Sequence, residues 1–119
     1  MNYDGPERRK YIRINGRFIV SYRILEESDN TDISQTKNVS LGGMIFTSNR
    51  GFAKGTKLCV KIRLPADPQP IELSGEVVES REIVKGVIYD TRLKFLAIND
   101  SQVQVINKTA ELLSKRETP

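Results

Sequence analysis

Two stretches of the chain alternate apolar and polar side chains, and this constrains the fold more than any other feature. Phe18, Val20, Tyr22 and Ile24 interleave with Arg17, Ile19, Ser21 and Arg23, and Leu58, Val60, Ile62 and Leu64 interleave with Lys57, Cys59, Lys61 and Arg63. Successive side chains of an extended strand point to opposite faces, so each stretch predicts a half-buried β-strand. Further strands are expected at 34–39, 43–48, 70–80 and 84–96, with Gly75 marking a bulge or bend. Turn-forming residues separate them at Glu26 to Thr31, Leu41-Gly42-Gly43, Asn49 to Gly55, and Pro65 to Pro70. Six short strands leave hydrogen-bonding edges exposed unless the sheet closes on itself. The expected fold is therefore all-β: a six-stranded antiparallel, Greek-key-like barrel over residues 17–97.

The ends of the chain read differently. Asn99 and Asp100 have the character of helix caps, and Gln102 follows Asn99 at the spacing of a capping box. Val103, Ile106, Ala110 and Leu113 then recur at helical intervals, with Val105 and Leu112 beside them. A C-terminal α-helix over 99–115 is expected to pack on the barrel, with Lys115 and Arg116 complementing its dipole. Residues 1–16 read as a flexible basic arm, broken at Gly5-Pro6 and ending in a turn at Asn15-Gly16. All 119 residues suit one domain.

Composition narrows the chemistry. The chain has no histidine and a single cysteine, Cys59. Triads, Cys–His dyads, histidine metal sites and an internal disulfide are thus excluded. The net charge of +4 is mild, but residues 1–25 hold Arg8, Arg9, Lys10, Arg13, Arg17 and Arg23 against only Asp4 and Glu7. Such a cluster can attract a compact anion. No apolar run reaches membrane-spanning length and the N-terminus lacks an apolar leader, so a cytoplasmic protein without a membrane span is expected. Asn38-Val-Ser40 and Asn107-Lys-Thr109 match the glycosylation pattern by chance on that reading.

Most local motifs reduce to ordinary structure. Gly51 to Lys57 departs from a phosphate-binding loop in its glycine spacing and in placing Thr56 before Lys57, so it reads as a turn entering a strand. Glu26, Glu27, Asp29 and Asp32 read as a solvated loop, and Glu72 and Glu76 as the outward face of a strand. No metal site is expected. Cys59 falls on the polar-facing side of its strand, with nothing to activate it. Phe18 and Tyr22 share a face with Val20 and Ile24, and Phe95 with Leu93, which assigns these rings to the core. Tyr11, in the arm, is free to stack.

Two constellations remain. One is Glu7-Arg8-Arg9-Lys10-Tyr11-Ile12-Arg13, and the other is Asn38-Val39-Ser40-Leu41-Gly42-Gly43. Alone, the second is a turn in which Asn and Ser bond local backbone and the glycines permit positive φ. Together, Arg-x-x-x-Arg at Arg9 and Arg13 followed by Asn-x-Ser-x-x-Gly at Asn38, Ser40 and Gly43 resembles the PilZ domain family. The resemblance covers essentially the whole chain. It implies a small β-barrel that serves as a receptor for the bacterial second messenger cyclic di-GMP, with no cofactor and no catalysis. Leu93-Lys94-Phe95 looks like the family's closing strand, although Arg92 stands where the family often has glycine.

The residue chemistry suits that ligand. A guanidinium fork matches the O6/N7 pair of guanine and also the oxygens of a phosphate. In an extended arm Arg9 and Arg13 lie roughly 13 Å apart on one side, and so can grip different parts of one molecule. Asn38 offers an oxygen to the guanine N–H edge, Ser40 a hydroxyl to a phosphate, and Gly42 and Gly43 close approach. The arm would then fold over the barrel as ligand binds. By the same resemblance, arginine at Arg8 implies an intercalated pair of cyclic di-GMP molecules per domain. The output would pass to a protein effector. Two alternatives stand behind this reading: a PilZ-type adaptor that does not bind the nucleotide, and, ranking lower, an OB-like binder of single-stranded nucleic acid.

Overall fold

The computed structural model describes residues 13–27 and 31–117, with only the backbone of 115–117. Seven strands and one helix follow in order: β1 (Ile14–Asn15), β2 (Ile19–Ile24), β3 (Asp32–Val39), β4 (Gly43–Ser48), β5 (Lys57–Ile62), β6 (Ile71–Val84), β7 (Ile88–Phe95) and α1 (Asp100–Glu117). Neighbouring strands run β1-β3-β2-β5-β6-β7-β4, and β3 also pairs with β4. That last pairing closes six antiparallel strands, β2 to β7, into the expected barrel. The two-residue β1 continues the edge that β2 occupies on β3.

The alternation works as the sequence predicts. Val20, Tyr22, Leu58, Val60, Ile62 and Phe46 are buried inside, while Ile19 is exposed outside. Tyr22 packs its ring against Phe46 at 4.8 Å between centroids, and its hydroxyl donates to Asn49 Oδ1 at 3.2 Å. A buried tyrosine is thereby satisfied at its polar tip. Burial holds the Tyr22 hydroxyl above its usual pKa.

Three buried or half-buried hydroxyls bridge β4, β7 and β6. Ser48 Oγ donates to the Arg50 carbonyl at 2.8 Å, and Thr91 Oγ1 lies 2.9 Å from both Ser48 Oγ and Ser80 Oγ. Since Ser48 has spent its proton, Thr91 must donate to Ser48 and Ser80 to Thr91.

The capping box forms as expected. Gln102 N–H donates to Asn99 Oδ1 at 2.8 Å, and Asn99 N–H donates to Gln102 Oε1 at 3.0 Å. Gln102 Nε2 also donates to the Glu72 carbonyl at 2.8 Å, tying the start of α1 to β6. Ile106 is buried in the core, with Val105, Ala110 and Leu113 packed beside it.

Several local expectations are corrected. Gly75 marks no bulge, since its pairing with Leu58 and Phe95 is regular. It is glycine because a Cβ there would collide with the Leu93 side chain. The bulge sits instead between Val77 and Glu79. Asn15 belongs to a strand rather than a turn, with the chain break falling at Gly16 to Phe18. There the buried Thr36 hydroxyl donates to the Gly16 carbonyl at 2.7 Å and accepts from Phe18 N–H at 3.0 Å, replacing the interrupted ladder. Strand β6 runs on to Val84 and turns through Gly86, whose φ is 69°. Cys59, on an outward-facing position, is nonetheless buried, and its thiol donates to Glu72 at 3.2 Å.

Candidate functional site

The site begins at the junction of β1 and β3. Ile14 is buried and pairs with Val39, and Asn15 pairs with Asn38. This pairing pins the end of the basic arm, so that Arg13 arrives beside the second motif. Arg13, Asn38, Ser40, Gly42 and Gly43 line one groove with a cavity volume of about 180 Å³. The described members of the two sequence motifs therefore meet in space. Arg8 and Arg9, with Tyr11, lie outside the described residues.

The turn between β3 and β4 is held by its own serine. Ser40 N–H donates to the Gly43 carbonyl at 2.8 Å, and Ser40 Oγ accepts from Gly42 N–H at 3.2 Å. Ser40 Oγ also donates to the Gly43 carbonyl, at a longer 3.3 Å. The Gly42 carbonyl accepts from Phe95 N–H at 3.0 Å, which fastens the turn to β7. Gly43 is required by the fold, because a Cβ would land on the Leu93 carbonyl oxygen. Among the described residues the glycines with positive φ are Gly55 and Gly86, in other turns, so positive φ does not explain Gly43.

The rest of the groove comes from β4, β6 and β7: Met44, Ile45, Val78, Arg92, Leu93 and Lys94. Among the described residues its charged lining is thus Arg13, Arg92 and Lys94, with no carboxylate. Close by, Asp90 is taken up by Lys37 in an ion pair of 2.8 Å. A groove with three cations and no lining acid favours an anion. Ile45, Val78 and the contribution of Arg92 were missed by the motif reading. Alternation on β7 was the available signal, since Asp90, Arg92 and Lys94 must all face outward if Thr91, Leu93 and Phe95 face in.

Other chemistry finds little support. Burial, then the hydrogen bond to Glu72, pushes the Cys59 thiol above its usual pKa, the opposite of an activated nucleophile. Among the described residues no group of carboxylates or cysteine could hold a metal ion, and no helix is long and apolar enough to cross a membrane. The segment from Gly51 is a plain turn into β5, with Gly55 at φ 92° and Thr56 Oγ1 donating to the Ala53 carbonyl at 2.7 Å. Tyr22, Phe46, Phe52 and Phe95 are core rings.

Known structures share this architecture. The chain is similar to the Bacillus subtilis inhibitor of motility MotI/DgrA, at 21% identity and a TM-score of 0.74 over 92% of this chain and 52% of that one. It is also similar to the PilZ domain of YcgR from Escherichia coli, solved with c-di-GMP, at 14% identity and a TM-score of 0.64, covering 94% and 99% of the two chains. The K. pneumonia MrkH–c-di-GMP complex gives 14% identity and a TM-score of 0.66, covering 99% of this chain and 57% of that one. The chain spans about half the length of MotI/DgrA and of MrkH. At these identities the likeness is one of fold. No curated protein matches the chain in sequence. The family model described as PilZ domain matches residues 7–111, and the chain belongs to the PilZ domain family.

Proposed function

We propose that the chain is a receptor for cyclic di-GMP, without catalysis, whose bound state alters a surface read by a partner protein. The observation that carries this reading is the convergence of Arg13 with Asn38, Ser40, Gly42 and Gly43 on one groove that no carboxylate lines among the described residues. Solved PilZ proteins of the same fold, YcgR and MrkH, hold c-di-GMP, which supports the choice of ligand.

Each residue has a task that its chemistry suits. Arg13 reaches a phosphate or the O6/N7 edge of a guanine with two parallel hydrogen bonds. Arg9, four residues earlier, grips a second part of the ligand, and Arg8 directs a second, intercalated ligand molecule. Asn38 accepts from the guanine N–H edge. Ser40 exchanges its long bond to the Gly43 carbonyl for a phosphate oxygen, a stronger acceptor because it is charged. Gly42 and Gly43 leave room for the approach. On this reading the chain acts in the cytoplasm, where an intracellular messenger would reach it.

Isothermal titration of cyclic di-GMP into wild type, Arg9→Ala and Arg13→Ala tests this, with GMP and a short oligonucleotide as controls. Wild type is expected to bind at micromolar affinity or better, about −8 kcal/mol, and each variant to lose most of it. A saturation ratio of two ligands per chain supports the role of Arg8, and a ratio of one overturns it. Absence of binding by a folded wild type leaves a nucleotide-independent adaptor. Affinity that instead grows with oligonucleotide length and collapses with salt identifies a nucleic-acid binder.

A further inference from the structure

We infer that Arg92 and Glu79 form a guanine-reading subsite beyond the motif groove and set the base preference of the chain. The inference rests on the receptor reading above and adds two residues that neither motif contains.

The register places them. Asn38 pairs with Ile45, Ile45 with Arg92, and Arg92 with Glu79, giving one row across β3, β4, β7 and β6. Its neighbours along β4, β7 and β6, namely Met44, Leu93 and Val77, are buried, so the row lies on the outside of the barrel. The bulge between Val77 and Glu79 supplies the last member: one extra residue lets Val78 line the groove and sets Glu79 opposite Arg92. At about 4.8 Å per strand, Asn38 and Glu79 stand about 14 Å apart, more than one base can bridge. The row therefore has room for a ligand with two bases.

The groove also continues in that direction. Ile45 and Arg92 line both the main groove and an adjoining hollow of about 80 Å³, which Glu79, Arg81 and Asp90 complete. Among the described residues the side chains of Arg92 and Glu79 form neither a hydrogen bond nor an ion pair. Two other arginines on this barrel are committed locally, Arg23 to the carbonyls of Leu25 and Glu27 and Arg63 to that of Pro68, whereas Arg81, at the far side of the hollow, is as open as Arg92. Asp90 is committed to Lys37. Arg92 and Glu79 thus stay available to a ligand.

Their chemistry selects a base. Guanine presents O6 and N7 as acceptors, which an arginine fork matches, and beside them N1–H and N2–H as donors, which a carboxylate matches. Adenine presents a donor where guanine has O6 and an acceptor where guanine has N1–H, so both members of the pair reject it. Ile45, between the strands that carry Asn38 and Arg92, offers an apolar surface to a ring face.

Titration of wild type, Arg92→Ala, Arg92→Lys and Glu79→Ala with cyclic di-GMP and with cyclic di-AMP tests the assignment. Both positions of change, Arg92 and Glu79, carry exposed side chains, and circular dichroism confirms the fold of each of the three variants. Each alanine variant is expected to lose about tenfold or more in cyclic di-GMP affinity while cyclic di-AMP changes little, narrowing the preference. Arg92→Lys is expected to narrow it as well, because it keeps the charge and loses the fork. The sign at Glu79 is decisive. A carboxylate that merely stood near an anionic ligand would repel it, so tighter cyclic di-GMP binding by Glu79→Ala overturns the inference. Unchanged binding by Arg92→Ala also overturns it and leaves the receptor reading intact. No binding of cyclic di-GMP by wild type overturns the receptor reading, and the inference with it.

Discussion

Ile14 stands opposite Val39, and both side chains are buried in the barrel core. Two residues of strand thus anchor Arg13 next to Asn38 and Ser40, joining the arm to the motif groove by a hydrophobic contact that no ligand makes.

That anchor can be tested apart from ligand contact. Ile14→Ala is expected to cost about 2 kcal/mol or more of stability. It is also expected to weaken cyclic di-GMP binding several-fold by releasing Arg13, whereas Ile14→Val does so only slightly. Titration together with urea unfolding reads both effects. Wild-type affinity in Ile14→Ala would show that β1 does not position the arm.

Gly43 carries a different demand. A methyl group in Gly43→Ala meets the Leu93 carbonyl oxygen, so β4 and β7 must separate locally. A loss of about 1–3 kcal/mol is expected, read as a lower urea midpoint with an unchanged slope.

The relay from Ser80 through Thr91 to Ser48 gives the third expectation. Thr91 is fully buried, so Thr91→Val preserves shape while leaving the Ser80 and Ser48 hydroxyls without their shared partner. About 1–3 kcal/mol is expected to be lost. Thr109→Val is the contrast. Its hydroxyl donates only to the Val105 carbonyl one helical turn back, a bond that contributes little, and near-neutral stability is expected.

Alkaline pH should destabilise the fold in a defined order. Burial raises the Cys59 thiol above 9.0 and the Tyr22 hydroxyl above 10.0. A group whose folded pKa lies above its unfolded value keeps its full contribution below the unfolded pKa and loses it as pH rises through the folded one. The urea midpoint is therefore expected to hold at neutral pH and begin to fall above 9.0, first through Cys59 and then through Tyr22. Cys59→Val is expected to delay the onset. An unchanged profile in that variant would remove Cys59 from the account.

Legibility in the sequence varied with the range of the interaction concerned. The strands around Val20 and Leu58 were readable because alternation is local, and so was the Asn99–Gln102 box, which spans one helical turn. The β6–β7 hairpin was blurred, since Ile83, Val84, Val87 and Ile88 continue the apolar pattern across the turn at Gly86. All four are exposed, Val87 at 56%, which a pattern read as burial does not convey. Gly75 was visible as an oddity, but its cause is the Leu93 side chain on β7. Cys59 occupies an outward position, and its burial reflects the surface around Glu72 rather than the parity of its strand.

The candidate site divides in the same way. The sequence by itself determined that the chain makes short antiparallel strands needing closure, ends in a capped amphipathic helix, and carries one basic motif and one Asn-x-Ser-x-x-Gly motif. Those properties rest on side-chain type and on spacing within a few residues. Only the tertiary structure decided that Arg13 lies beside Asn38, that Lys37 neutralises Asp90, and that Arg92 and Glu79 extend the row. Such neighbours depend on strand register and on a bulge at Val78, and a single-residue shift in either turns a side chain to the other face.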